Sequence, residues 1–190
     1  MIFGEFGLHY ITHKRNLASI EKRGLLSLNE VLRRGLERSD ISNSEVQALR
    51  DRRREPIWNR SIHDYVPLYL NPKNPMLSAL RHMRDDLVIL KIDHDVARSG
   101  EAIFCDGNAA SSATQFSLDD EILKSAREAL RAEYWRGVDD GGRRRMAEVL
   151  VHQRVAPDRI NAVLCPNIEV VRGVAQGTKF YALMNPSKFF

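Results

Sequence analysis

A basic, glycine-bearing turn running straight into a β-branched apolar segment constrains this chain more than any other feature. Asp139-Asp140-Gly141-Gly142 leads into Arg143-Arg144-Arg145 and then Met146-Ala147-Glu148-Val149-Leu150-Val151. Val149, Leu150 and Val151 gain by leaving water, and the valines favour an extended backbone. Glu148 stands at the junction and is drawn to the edge of the core with them. A carboxylate is costly to desolvate unless it is paired or used in chemistry. An acid at the start of a buried strand, behind a basic turn, is therefore a candidate site residue. Met146 to Val155 can also be drawn as an amphipathic helix carrying a solvated Glu148, so this segment alone leaves both readings open.

The remainder bounds the class of protein. With 190 residues, 43% of them hydrophobic, the chain can bury one core, and a single domain over residues 1–190 is expected. A net charge of +4, from 29 basic against 25 acidic residues, favours phosphate-bearing partners only weakly. Cys105 and Cys165 form neither a metal-spaced pair nor a disulfide framework, which points to a reducing, cytoplasmic setting. Glu5 interrupts the first apolar residues, so no secretory signal is read, and no apolar run reaches the length of a membrane span.

Taken in order, Leu8 to Thr12 reads as a strand and Leu17 to Arg23 as a short helix closed by Gly24. That junction gathers His9, Tyr10, Thr12 and His13 beside a helix N-terminus, where anions are favoured. A helix follows from Glu45 to Pro56, with Val46 and Leu49 on one face. It places Arg50, Arg52, Arg53 and Arg54 within five positions, and guanidinium forks suit phosphates and carboxylates. A solvated charged helix accounts for the same pattern. Strands are expected at His63–Leu70, with Pro67 at an edge, at Leu87–Ile92, at Glu101–Cys105 and at Ala162–Cys165. Helical spacing marks Met76 to Arg84 and Leu118 to Trp135, and Lys179 to Leu183 reads as a last strand or arm. Asp106-Gly107-Asn108-Ala109-Ala110 is a tight turn of small residues that lets backbone approach a ligand. Strands and helices alternate early and strands cluster late, which argues for an α+β fold. Neither a Gly-x-Gly-x-x-Gly nor a Walker loop is present.

Four blocks then match one family in order. Tyr10-Ile11-Thr12-His13 with Asn16-Leu17 resembles its opening motif, and Asp64-Tyr65-Val66-Pro67-Leu68-Tyr69-Leu70-Asn71-Pro72 its most distinctive block. Asp106 to Ala110 and Ala147 to Val151 resemble two more. The family is that of the DarT-type DNA ADP-ribosyltransferase toxins, and the resemblance covers residues 8 to 165. It implies an ADP-ribosyltransferase-like α+β fold, with two small antiparallel sheets around an NAD cleft and flanking helices. It implies transfer of ADP-ribose from NAD, as substrate and without a metal, to a base in single-stranded DNA. A macrodomain antitoxin is implied as partner, and a monomeric toxin is expected.

By position, the resemblance makes Glu148 the catalytic glutamate and Arg50 the active-site arginine, with Arg53 the alternative register. Tyr10, Thr12, His13 and Asn16 fall on the NAD-contact motif. Where the family reads His-Ile-Thr-His, this chain has Tyr10 in the first place and His9 just before it. Arg143, Arg144 and Arg145 are expected to hold the DNA backbone, and Tyr134 or Trp135 to stack an unpaired base. Three alternatives stay open: an RNA acceptor, an inactive nucleic-acid-binding module of the same fold, and a metal hydrolase using His9, His13, His63 or His152 with Asp64 or Asp106.

Overall fold

The clearest apolar run in the sequence, Leu87–Ile92, becomes strand β4 near the centre of an eight-stranded sheet. The computed structural model describes residues 2–98 and 100–190. The other strands are β1 (Leu8–His13), β2 (Leu25–Leu26), β3 (Tyr65–Tyr69), β5 (Ile103–Cys105), β6 (Phe116–Ser117), β7 (Glu148–His152), β8 (Arg154–Val155), β9 (Ile160–Cys165) and β10 (Ala182–Met184). The helices are α1 (Leu17–Arg23), α2 (Leu28–Arg33), α3 (Ser44–Asp51), α4 (Pro75–Ala79), α5 (Arg127–Arg131), α6 (Gly141–Arg144) and α7 (Ile168–Gly177). The sheet order is β10-β9-β4-β1-β3-β7-β5-β6, and β2 and β8 form a separate pair. Every pairing is antiparallel except β9 with β10, which α7 joins as the crossover that a parallel neighbour requires.

The large sheet is really two half-sheets. β1 pairs with β4 along its whole length, from Leu8↔Ile92 to His13↔Leu87. β3 pairs with β7 from Tyr65↔His152 to Tyr69↔Glu148. Between β1 and β3 the register holds a single pair, His9↔Tyr69. The expected two antiparallel sheets are thus joined in one eight-stranded sheet, as four-stranded halves that share a single register pair, one of them carrying the parallel β9–β10 pairing, with the β2–β8 ribbon beside them. Pro67 fits this arrangement because its stretch of β3 pairs only with β7.

Alternation along the strands sorts the core. Leu8, Val88, Leu90, Val66, Leu68 and Val149 share one continuous apolar cluster on one face. On the opposite face the cover divides. Ile11, Tyr69, Leu87 and Ile89 pack in one patch, and Tyr65, Ile103, Cys105 and Leu150 in another. Glu148 lies between Tyr69 and Cys105 in register, where the two patches part.

Several elements differ from their sequence reading. The helix drawn from Leu118 to Trp135 is a 3₁₀ segment, Asp120–Ala126, followed by the single turn and a half of α5. Arg145 explains its end, because its guanidinium takes the carbonyls of Ala129, Leu130 and Ala132. The helix drawn from Met76 to Arg84 stops at Ala79 and gives way to a 3₁₀ segment. On α3, Leu49 turns outward, 55% exposed, while Arg50 turns in. The helix rotates to bring a guanidinium to Glu148, which outweighs the burial of one leucine. The turn before Glu148 closes into the short helix α6, and Val170-Val171 lies in α7, capped by Asn167.

Candidate active site

The cleft opens where the half-sheets separate. It holds about 590 Å³, with Tyr10, Thr12 and Asn16 on one side and Tyr65, Pro67 and Tyr69 on the other. That volume falls within the range of roughly 300–1,000 Å³ usual for small-molecule and cofactor sites. α3 forms one wall through Val46, Gln47 and Arg50, and the polar segment from Leu36 to Asn43 forms another.

Glu148 is the first residue of β7 and is fully buried. Its carboxylate is paired from two directions. The Arg50 guanidinium lies 3.1 Å from Oε1 and 3.4 Å from Oε2. The backbone N–H of Ala109 donates to Oε1 at 2.6 Å. Burial works against the Arg50 charge, and the adjoining Glu148 more than compensates, so the guanidinium is held protonated above its ordinary range. Burial and then Glu148 push the Tyr69 and Cys105 side chains up, so both stay neutral beside the pair.

The donor to Glu148 comes from the tight turn at Asp106–Ala110, and Arg143 holds that turn. Its Nη1 donates to Asp106 at 2.8 Å and to Thr114 Oγ1 at 3.2 Å. Its carbonyl accepts from Asn108 N at 3.1 Å. Only glycine fits at 107, since a Cβ there would come within 2.5 Å of the Arg143 guanidinium. The expected DNA-facing arginine is therefore a positioning residue for the turn that grips Glu148. Arg145 is likewise committed inward. It is 4% exposed, and it donates to Lys73 O at 2.7 Å and to three carbonyls at the end of α5. Four carbonyl partners outcompete solvent for a guanidinium buried this deeply. Arg144, partly exposed, makes no hydrogen bond through its buried Nε among the described residues and forms an ion pair there with Asp140 at 3.8 Å. Trp135 packs edge-on against Phe190 at 5.9 Å under the Arg145 guanidinium, while Tyr134 beside it is 76% exposed. Of the two aromatics, Tyr134 is the one free to stack.

The opening motif divides in the same way. Tyr10 and Thr12 line the cleft, and burial pushes the Tyr10 phenol up. Asn16 is a clamp. Its Nδ2 donates to Thr12 Oγ1 and to Ser39 O, both at 3.0 Å, and its Oδ1 accepts from Ser39 N at 2.8 Å. It thereby fastens the Leu36–Asn43 wall to β1. His13 turns away from the cleft and caps the next turn, accepting from Arg15 N at 3.1 Å. His9 donates from Nδ1 to Tyr69 O at 3.3 Å, inside the seam. Arg53 lies outside the cleft, donating to Thr114 O at 3.1 Å and covering the Phe116 ring at 5.0 Å.

Sequence reasoning named His63 only for the metal-hydrolase alternative and did not single out Gln47. Both line the cleft beside Arg50, joined by a 3.0 Å contact between His63 Nε2 and Gln47 Oε1. Burial and the nearby Arg50 charge hold His63 below its ordinary range. The available signal was their adjacency to Arg50 and Tyr65 in two of the blocks already singled out. Among the described residues no three His, Cys, Asp or Glu side chains converge to hold a metal, so His9, His13, His63 and His152 build no such set. No helix of the described residues is long and apolar enough to cross a membrane.

Comparison with known proteins adds the following. The family model described as DarT, ssDNA thymidine ADP-ribosyltransferase, matches residues 9–181. A DNA ADP-ribosyl transferase–DNA ADP-ribosyl glycohydrolase fusion protein of Thermosipho africanus (strain H17ap60334) is 35% identical over 168 residues, covering 86% of this chain and 43% of the relative. The structure of Thermosipho africanus DarTG in complex with ADP-ribose superposes with a TM-score of 0.88 at 32% identity, over 97% of this chain and 51% of that one. The chain thus spans about half the length of these two relatives. Thermus sp. 2.9 DarT, at 20% identity and 97% coverage of this chain, shares the fold. Its complex with ADP-ribosylated ssDNA gives a TM-score of 0.86 with 96% of that chain covered, and its complex with NAD+ gives 0.81 with 98% covered.

Proposed function

The chain belongs to the DarT family of ssDNA thymidine ADP-ribosyltransferases, and on that premise we propose that it transfers ADP-ribose from NAD to thymidine in single-stranded DNA. The observation that carries this reading is the fully buried Glu148, set at the parting of two half-sheets and held by Arg50 and by Ala109 N–H.

In this reaction the bond between the ribose C1′ and the nicotinamide nitrogen breaks, and its electron pair leaves with nicotinamide. Positive charge develops on the ribose. A preorganised carboxylate in a water-poor site stabilises such charge strongly. The thymine ring nitrogen then bonds to C1′ and gives up its proton, for which Glu148 is the acceptor within the site. Arg50 aligns Glu148 and adds the cation that lines the cleft, where a donor pyrophosphate has to be held. Tyr10 and Thr12 form the facing wall, and Asn16 keeps the Leu36–Asn43 segment closed over it. The relative fused to a DNA ADP-ribosyl glycohydrolase supports a partner that removes the mark, as an antitoxin does to a toxin. Two free, buried cysteines suit a reducing cytoplasm.

Mass spectrometry of thymidine-bearing oligonucleotides incubated with the protein and NAD tests the proposal. One added ADP-ribose on single-stranded DNA, absent with Glu148→Gln, is the expected result. Modification of the matching RNA alone, or transfer retained at near the unsubstituted rate by Glu148→Gln, overturns it.

A further inference from the structure

The hairpin that follows α3, residues 52–61, is built as a rigid platform for cations and rings. Arg54 and Ser61 form an antiparallel bridge, and Glu55 N and Ile62 N donate to Arg60 O and Arg53 O at 2.9 and 3.1 Å. Glu55 is fully buried inside the turn. Its carboxylate accepts from Ile57 N at 2.7 Å, Trp58 N at 2.9 Å, Arg60 N at 2.8 Å and Tyr65 Oη at 3.0 Å. The hairpin's one acid is thereby spent on its own backbone, while Arg52, Arg53, Arg54 and Arg60 remain.

Two of these arginines point to a ligand. Arg53 lies 5.0 Å over the Phe116 ring and Arg60 lies 5.2 Å over Trp58. Each has a buried Nη1 with no hydrogen-bond partner among the described residues. Cross-strand pairing puts 53, 55, 60 and 62 on the same side of the hairpin, the side on which Glu55 and Ile62 are fully buried, while Arg53, Arg60, Trp58 and Phe116 each stay partly exposed at its border. Buried donors without partners are uncommon and call for an acceptor. Planar guanidinium–aromatic pairs suit a strand that offers phosphates and stackable bases.

The platform's place in the fold fits that role. None of the described residues 51–61 lines the NAD cleft. Arg53 N nonetheless donates to Arg50 O at 3.2 Å, and Arg53 Nη2 donates to the loop whose turn grips Glu148. The surface thus adjoins the reacting carboxylate from outside the donor site. Arg143 and Arg145, the cations expected there, are consumed within the fold. We infer that the Arg53–Arg60 hairpin, with Trp58 and Phe116, is the surface that holds the single-stranded DNA flanking the acceptor thymidine. This rests on the transferase reading above and moves Arg53 from the donor to the acceptor side of the site.

Fluorescence anisotropy of a labelled single-stranded oligonucleotide, without NAD and over a salt series, tests it on the full chain. Arg53→Gln with Arg60→Gln is expected to weaken binding by about tenfold or more. Losing two phosphate contacts should flatten the plot of log K against log salt by about 1.4, at roughly 0.7 per contact for single strands. Trp58→Ala should also lose about tenfold, and Trp58→Phe should restore most of it. Arg172→Gln, which removes an exposed charge on α7, is the control. Should the glutamine pair fail to fold, Arg53→Lys with Arg60→Lys keeps the charge and is expected to lose affinity while retaining the slope. Affinities and slopes equal to those of Arg172→Gln, in a protein that still modifies the oligonucleotide, overturn the hairpin assignment and leave the transferase reading intact. An unsubstituted chain that neither binds nor modifies single-stranded DNA overturns both.

Discussion

Stability should report the Arg50–Glu148 pair as sharply as activity does. Arg50→Met keeps most of the side-chain volume but leaves a fully buried carboxylate with one N–H donor, Ala109, at 2.6 Å. Stripping one partner from a buried ion pair costs about 3–5 kcal/mol. For a chain of this size, at about 2–4 °C per kcal/mol, that lowers the melting midpoint by roughly 6–20 °C. Glu148→Gln is milder. Its carbonyl can keep the bonds that Oε1 accepts from Arg50 and Ala109, while its amide opposes the guanidinium where Oε2 now lies at 3.4 Å. One buried donor is left opposed and the buried Arg50 charge loses its counter-ion, a cost at the lower end of about 3–5 kcal/mol. The double variant removes both charges and should be more stable than Arg50→Met alone. Urea unfolding followed by circular dichroism gives all three values and closes a double-mutant cycle. Additivity within about 0.5 kcal/mol, the behaviour of uncoupled residues, would refute the pairing and the desolvation argument for Glu148.

Other perturbations have defined outcomes. Burial, followed by the Lys188 charge, lowers the His9 pKa to about 4 from 6.5. The unfolded chain then binds this proton first, so the stability present above pH 6.5 is lost as pH falls toward 4. That amounts to about 2 kcal/mol at pH 5, and His9→Gln should remove this part of the pH dependence when melts at pH 7 and pH 5 are compared. Asn16→Ala releases the Leu36–Asn43 wall and should raise the KM for NAD by about tenfold, the equivalent of one net hydrogen bond, with a smaller change in kcat. An unchanged KM would mean that wall plays no part in donor binding. Arg145→Met should lower the unfolding free energy by about 2–4 kcal/mol by leaving buried carbonyls unpaired. Arg144→Gln should leave it within about 0.5 kcal/mol, and equal effects at the two positions would contradict their different burial.

What the sequence disclosed follows from the range of the forces involved. Leu87–Ile92 was legible because a strand with buried faces writes a β-branched and apolar run into the chain, whereas the segment that became Glu148–His152 fitted a strand and a helix alike when read by itself. α1 was legible because Gly24, at φ 81°, closes it. α2 carried its own signal in Ser27, which accepts from Glu30 N at 3.3 Å, a cap the polar composition of residues 27–44 obscured. Glu148 could be singled out locally, but residue types alone did not rank its partner among four neighbouring arginines; the family resemblance put Arg50 first, and the rotation of α3 brings Arg50 to Glu148. The roles of Arg143 and Arg145 were illegible for a similar reason. Consecutive arginines look alike in sequence, and what distinguishes them are acceptors 37 and 72 residues away.

The lone register pair His9↔Tyr69 leaves the two half-sheets free of backbone ties along most of their seam. A donor molecule touching β1 and β3 together would act as a removable cross-link. Its stabilisation grows with its free concentration, reaching about 2.7 kcal/mol at a hundredfold excess over Kd, and melting curves with and without NAD measure it directly. Amide hydrogens along the open edge of β3 should exchange fastest in the free chain and slow when the donor binds. On the proposed transferase reading, transfer would consume the molecule that reinforces the seam, so resistance to heat and proteolysis should decline as NAD is depleted.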